Sequence, residues 1–139
     1  MKNCKNFKGV FVAVGMLSVI CFASQSAVAG TYSSSVNLPT LYSKGYIYTA
    51  IVPVPVGPRH GVKIKNITWN WNVHGWPRGL QVYLCQTLTK CIDVSRRRTG
   101  SSQAFKDSHS TQPFYFELKI SGAGPMPVAG LLGRLTVDW

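Results

Sequence analysis

A run of alternating residues between Ile67 and Leu84 constrains the fold of this chain more than any other feature. From Ile67 to Val73 every second residue is apolar, and the residues between them are Thr or Asn. The alternation returns from Leu80 to Leu84, after a stretch at residues 74–79 that contains two Gly and one Pro. Side chains two positions apart leave the same face of a β-strand, so this pattern predicts two strands joined by a turn, each with one buried face.

Cys85 and Cys91 flank a short loop that follows the second of these strands. The alternation places both cysteines on the outward face of one hairpin, where a cross-strand disulfide agrees with an inward Leu84 and Ile92. We therefore predict a Cys85–Cys91 disulfide. A metal site is less favoured because the pair lacks nearby histidine partners, and a redox dithiol is less favoured because the spacing is not Cys-x-x-Cys.

The rest of the chain is also typical of β-structure. Strands are predicted over Tyr46–Val54, Phe114–Ile120 and Leu135–Trp139. Residues 30–39 are expected to form a loose N-terminal arm, and residues 95–102 a polar loop. No segment shows a sustained helical period of apolar residues, so we expect an all-β protein, a small antiparallel β-sandwich with one disulfide.

The first 29 residues have the pattern of a secretory signal peptide. Three lysines precede an apolar run from Gly9 to Ala23, and Ala27-Val28-Ala29 supplies small residues at a cleavage site. A membrane anchor is the alternative, but the run of about 15 residues is short for ~30 Å of hydrocarbon. We predict cleavage after Ala29, a single domain over residues 30–139 without a transmembrane segment, and a periplasmic location.

The expected mature chain is strongly basic. Of the 15 Lys and Arg residues three fall in the first 29, so 12 basic and four acidic residues remain, a net charge of 12 − 4 = +8. Such a charge favours an anionic envelope surface or an acidic protein partner, and nucleic acid is not expected outside the cytoplasm. Solubility alone is an equally good explanation of the charge.

The titratable residues do not suggest an enzyme. The acidic residues are few and scattered, and no two are spaced as a glycosidase pair would require. The three histidines lie in predicted loops without metal-ligand spacing. Asp107-Ser108-His109-Ser110 is better explained as a solvated turn than as a catalytic triad. We expect a non-enzymatic protein without catalytic residues, cofactor or metal.

Two features are candidates for binding a partner. Trp69 and Trp71 share the predicted inward face and are assigned to the core in preference to a sugar-stacking platform, whereas Trp76 lies in a turn and is expected to be exposed. The triplet Arg96, Arg97 and Arg98 offers guanidinium groups that suit carboxylate or phosphate. A solvated charged loop is the alternative explanation for the triplet.

An ordered set of motifs in the second half of the chain resembles a known family. The set comprises Trp71, Pro77-x-Gly79-Leu80-x-Val82-x-Leu84-Cys85, Cys91, Gly100, Phe105, Pro113-Phe114-x-Phe116, Gly122-x-Gly124, Pro127 and Leu135-x-Val137-x-Trp139. It resembles the flagellar protein FlhE family over roughly residues 69–139. The resemblance implies a periplasmic β-sandwich protein that acts with the flagellar export apparatus, restraining proton leak or premature secretion by binding an export or basal-body protein. The alternative is a secreted binding module of fimbrial, adhesin-like or saccharide-binding type.

Overall fold

The structure is a computed structural model that describes residues 29–58 and 60–139. The predicted signal segment, apart from Ala29, lies outside the described residues. Within them the chain forms eight β-strands and no helix, which confirms the all-β prediction. The strands are β1 (Thr31–Asn37), β2 (Tyr48–Val52), β3 (Asn66–Val73), β4 (Leu80–Thr87), β5 (Lys90–Asp93), β6 (Thr99–Ser102), β7 (Phe114–Ile120) and β8 (Gly130–Asp138).

The strands form two four-stranded antiparallel sheets, in the orders β1-β8-β3-β6 and β2-β7-β4-β5. Strands β4 and β5 are joined as a hairpin within one sheet, whereas every other connection between described strands passes from one sheet to the other. The two sheets enclose one apolar core between them. The predicted antiparallel β-sandwich is therefore confirmed.

The alternating residues of the sequence supply most of this core. On β3 the inward residues Ile67, Trp69, Trp71 and Val73 are buried, and the Thr and Asn residues between Ile67 and Val73 are exposed. Strand β7 repeats the pattern, since its four apolar residues from Phe114 to Ile120 are fully buried. The assignment of Trp69 and Trp71 to the core is confirmed.

Cys85 and Cys91 form the predicted disulfide. They face each other directly in the β4–β5 pairing, with their Cα atoms 4.1 Å apart. Cys85 is fully buried although it points away from the core, and Cys91 is exposed. The covalent bond therefore closes the hairpin at the edge of the sheet.

Removing this disulfide is expected to destabilise the protein modestly. A cross-link that closes so short a loop contributes roughly 2 kcal/mol on the chain-entropy account. The Cys85→Ala/Cys91→Ala double variant should lose about that amount in a urea unfolding titration. Reductant should lower the stability of the unmodified protein to a similar level and leave the double variant unchanged. A variant as stable as the oxidised protein would contradict the expectation.

Two segments predicted to be irregular are strands. Residues 30–39 are not a loose arm, because β1 pairs with β8 along its whole length, from Thr31 opposite Asp138 to Asn37 opposite Leu132. Part of the predicted loop at 95–102 is strand β6, which pairs with β3 and sets Gly100 opposite Trp69. A Cβ at Gly100 would lie 2.5 Å from the Trp69 ring, so this edge strand needs a glycine there. Both segments are rich in Ser, and their pairing depends on a neighbouring strand.

Tyr32 on β1 makes the fold sensitive to alkaline pH. Its side chain is buried and its ring lies 6.0 Å from that of Trp139, and burial raises the pKa of the Tyr32 hydroxyl to about 12. The unfolded chain releases this proton near pH 10. Between about pH 10 and pH 12 the unfolded state binds fewer protons than the folded state. The free energy of unfolding therefore keeps its full value below about pH 10 and decreases as the pH rises towards 12. Unfolding titrations at pH 9 to 12 should show this loss, and Tyr32→Phe should reduce it; equal loss in the variant would exclude Tyr32 as the cause.

Candidate functional site

Four connections that cross between the sheets lie at one end of the sandwich, which we call the loop end. They are the β1–β2 connection (38–47), the β3–β4 turn (74–79), the β5–β6 loop (94–98) and the β7–β8 connector (121–129). The backbone N–H of His74 donates to the carbonyl of Ala129 at 2.9 Å, and that of Ser121 donates to the carbonyl of Gly79 at 3.0 Å. The turn and the connector are therefore hydrogen-bonded to each other at both ends of the turn.

The buried indoles of Trp69 and Trp71 are hydrogen-bonded to the backbone of the β5–β6 loop. The Nε1–H groups of Trp69 and Trp71 both donate to the carbonyl of Arg97, at 2.9 and 3.1 Å. Trp71 Nε1–H also reaches the carbonyl of Val94 at 3.0 Å. A buried indole N–H needs an acceptor, so these tryptophans both fill the core and fix the backbone that carries the arginine triplet.

Arg98 is a structural member of the loop end. Its guanidinium donates to the side-chain oxygen of Asn72 and to the carbonyls of Val73 and Gly75, with the Val73 contact at 3.3 Å. Partial burial lowers the pKa of this guanidinium, although an arginine remains protonated throughout the accessible pH range. The side chain therefore joins the β5–β6 loop to the end of β3 and to the β3–β4 turn.

The guanidinium of Arg98 stacks on the ring of Trp76, which is the most exposed aromatic residue of the loop end. Arg98 Cζ lies 3.6 Å from the centroid of the Trp76 ring and 5.2 Å from that of Trp71. Trp76 is 80% exposed, as predicted for a residue in this turn. A cation over an indole at the surface contributes about 0.5–1 kcal/mol, enough to favour one orientation of an otherwise free ring.

Trp76 lines two depressions in the surface. The smaller, about 200 Å³, is lined by Trp71, Arg98 and Ser95 together with Trp76. The larger, about 580 Å³, lies between the β3–β4 turn and the β7–β8 connector, and we call it the cleft. Its lining residues are His74, Gly75, Trp76, Pro77, Arg78, Ala123, Gly124, Pro125, Pro127, Val128 and Ala129.

The structure brings together only part of the predicted patch. Trp76 and Arg98 stack, whereas Arg96 and Arg97 are exposed on the adjoining loop. Hydrogen bonds from Ser95 and, to a smaller extent, the charge of Arg96 lower the pKa of Asp93 at the end of β5. Sequence reasoning missed Arg78 and the proline-rich wall of the cleft. Proline and glycine in the connector indicated a turn, and nothing in the order of residues indicated that this turn lies beside Trp76.

The described residues contain no group of three or more His, Cys, Asp or Glu side chains that could hold a metal ion. Asp93 lies near the loop end, and Asp107 belongs to the β6–β7 loop at the other end of the sandwich. Ser108 accepts a hydrogen bond from Lys90 Nζ at 2.6 Å, and the N–H of Ser110 donates to the carbonyl of Val62.

In the part of the chain that the structure describes, no helix is long and apolar enough to cross a membrane.

The fold and the site together define a small β-sandwich module that presents an arginine-supported tryptophan and a cleft on its crossing loops, an arrangement suited to binding. The family model for the flagellar protein FlhE matches residues 39–138, and the chain belongs to the FlhE family. This membership supports an accessory role in the flagellum.

A solved structure shows the same fold. The crystal structure of FlhE has a TM-score of 0.67 and 20% identity to this chain, and the alignment covers 81% of this chain and 98% of the FlhE chain. No curated protein sequence matches this chain.

Proposed function

We propose that the protein is exported, cleaved after Ala29 and active in the periplasm as a non-enzymatic accessory protein of the flagellar export apparatus. There it limits proton leak or premature secretion by binding an export or basal-body protein through the loop end. Membership of the FlhE family supports the flagellar role. The observation that carries the binding role is Trp76, a large ring held out in solvent on the Arg98 guanidinium.

The chemistry of the loop end supports a role in binding. Trp and Arg are among the residues most enriched at the positions that dominate protein interfaces. The Trp76 ring is already oriented by Arg98, so little conformational freedom is lost when a partner covers it. Arg78, Arg96 and Arg97 are exposed on the same connections and supply positive charge for an acidic partner or an anionic envelope surface.

The start of the described chain is consistent with cleavage after Ala29. Gly30 exchanges two backbone hydrogen bonds with Trp139, at 2.8 and 2.9 Å. A Cβ on residue 30 would overlap the Trp139 ring, with its closest contact at 2.4 Å. Cleavage there leaves every described strand intact. Sequencing the N-terminus of the periplasmic protein should give Gly30 first; retention of Met1 would contradict export by cleavage.

The proposed role is tested by cytoplasmic pH in a strain that lacks the gene, measured with a ratiometric reporter after a shift to acidic medium. We expect acidification that disappears when the export genes are also deleted. A complementing allele with Trp76→Ala should fail to restore the pH. The matched control is Leu88→Ala, which removes a 91% exposed apolar side chain from the β4–β5 hairpin at the other end of the sandwich.

The charge of the loop is tested in the same assay. Arg96→Glu/Arg97→Glu should impair complementation, and Lys63→Glu/Lys106→Glu, an equal charge change on exposed residues at the other end, should not. A deletion strain with normal cytoplasmic pH and normal motility would refute the proposed function. Full complementation by Trp76→Ala would refute the assignment of binding to the loop end.

A further inference from the structure

The cleft beside Trp76 has the size and composition of a site for a small apolar group. Its volume, about 580 Å³, falls within the ordinary range for ligand pockets. Three prolines, three small or branched aliphatic residues and the Trp76 indole form most of its walls. Arg98, which stacks on the Trp76 indole, lines the smaller depression and is absent from the lining of the cleft, so its guanidinium does not occupy the cleft.

The walls of the cleft are fixed before any ligand arrives. Hydrogen bonds from His74 to Ala129 and from Ser121 to Gly79 join its two sides, and Arg98 holds the carbonyl of Gly75. Proline restricts the backbone on both sides of the cleft. A ligand therefore meets a preformed surface, and little of its binding free energy is spent on ordering the protein.

The polar side chains that line the cleft are few, and none of them is acidic. His74 and Arg78 are the charged or titratable residues in its lining, and no Asp, Glu, Asn or Gln is among the lining residues. Arg96 and Arg97 add positive charge on the neighbouring loop. The cleft therefore favours a ligand that carries negative charge next to an apolar group.

This composition argues against a sugar as the occupant. A saccharide stacked on Trp76 would bring several hydroxyls into the cleft, each needing donors and acceptors, and an unmatched buried polar group is costly. The lining side chains offer no carboxylate or amide to match them. An extended peptide places one apolar side chain in a cleft and leaves its neighbouring residues at the rim, and aromatic, proline-binding grooves work in this way.

We propose that the cleft binds an extended segment of a partner protein in which Pro or Leu residues enter against Trp76 and flanking carboxylates face Arg78. The inference rests on the proposed function, because it names the chemistry of the partner segment for the same loop end. It adds Arg78 and the connector wall at Pro125 and Pro127 to the residues that recognise the partner.

The test uses the purified exported protein and three synthetic peptides, followed by amide chemical shifts in NMR titrations. The first peptide has a Pro-Leu-Pro core between glutamates, the second has the same core between lysines, and the third has a Gly-Ser-Gly core between glutamates. The first should shift the amides of Gly75 and Ala129 and bind at least about tenfold more tightly than either of the others. An N-acetylglucosamine tetrasaccharide is titrated as the rival occupant.

Two charge-reversal variants distinguish a local site from attraction by net charge. Arg78→Glu should weaken binding of the first peptide by about tenfold or more, whereas Lys106→Glu, the same change at the opposite end, should alter it by less than about twofold. Equal weakening by both variants, equal binding of the Gly-Ser-Gly peptide, displacement by the tetrasaccharide or binding of none of the peptides would each overturn the inference.

The inference and the proposed function can fail separately. If no peptide binds while Trp76→Ala still fails to restore cytoplasmic pH, the inference is wrong and the proposed function stands. If the first peptide binds as expected while the deletion strain keeps a normal pH and swims normally, the cleft is a peptide site and the proposed flagellar role is wrong.

Discussion

Replacing Gly79 by alanine is expected to destabilise the sandwich by about 3 kcal/mol or more, because two costs act at one position. Gly79 has a φ of +75°, a conformation that costs an L-residue about 1–2 kcal/mol. A Cβ there would also lie 1.7 Å from the carbonyl oxygen of Ser121, so the backbone of the connector must move. That movement strains the hydrogen bond from Ser121 N–H to the Gly79 carbonyl.

Gly75→Ala is the matched control in the same turn. Gly75 has nearly the same φ, +71°, but nothing lies within 4 Å of the Cβ it would carry. This variant should lose only the conformational cost of about 1–2 kcal/mol. Both variants are compared by urea unfolding. Equal losses would show that the contact with Ser121 relaxes freely and that the turn and the connector are not rigidly joined.

Replacing Phe116 by alanine is expected to cost about 3–5 kcal/mol, the usual range for a buried aromatic ring. Phe116 is fully buried on β7, which lies between β2 and β4 in its sheet. Its ring spans the core to the opposite sheet, where a Cβ built on Gly133 of β8 would lie 3.0 Å from the ring. Removing the ring leaves a cavity between the sheets that the surrounding strands can fill only in part.

The loss is measured as the change in unfolding free energy in urea, together with the slope of the transition. Leu88→Ala serves as the control, since Leu88 is 91% exposed at the tip of the β4–β5 hairpin and should change stability by less than about 0.5 kcal/mol. A Phe116→Ala protein within about 1 kcal/mol of the unmodified protein would mean that the two sheets close over the gap.

The parts of the fold that could be predicted from sequence are those in which local alternation and core burial agree. Strands β3, β4 and β7 have an apolar residue at every second position, and the parity of that pattern also placed Cys85 opposite Cys91. Trp69 and Trp71 follow the same parity into the core. In these cases the residues themselves carry the signal.

Strands β1 and β6 could not be predicted from their own residues, because each forms a strand through pairing with a neighbouring strand. Three consecutive serines in β1 are favourable in a loop, and they form a strand because β8 supplies a hydrogen-bonding edge. Strand β6 needs a residue without a side chain at position 100, because Gly100 leaves room for the Trp69 ring. An edge strand that buries little apolar surface shows no alternation of apolar and polar residues by which it could be predicted.

The candidate site was predictable in some of its members, Trp76 and the arginine triplet, but not in Arg78, the connector prolines or its geometry. Exposure of Trp76 follows from its place in a turn, but the stacking of Arg98 on that ring depends on how the β5–β6 loop crosses between the sheets. The arginine triplet reads as one patch in sequence. In the structure Arg98 is committed to Asn72, Val73 and Gly75, and Arg96 and Arg97 remain exposed to solvent.

The unequal exposure of the four tryptophans gives the protein an internal optical reporter. Trp69 and Trp71 are buried and Trp139 is partly covered, whereas Trp76 is 80% exposed and lies among arginines that attract anions. Iodide will therefore quench the emission of Trp76 in preference to that of the other three indoles. The quenchable fraction of the intrinsic fluorescence measures how open the loop end is, without a label or a substitution.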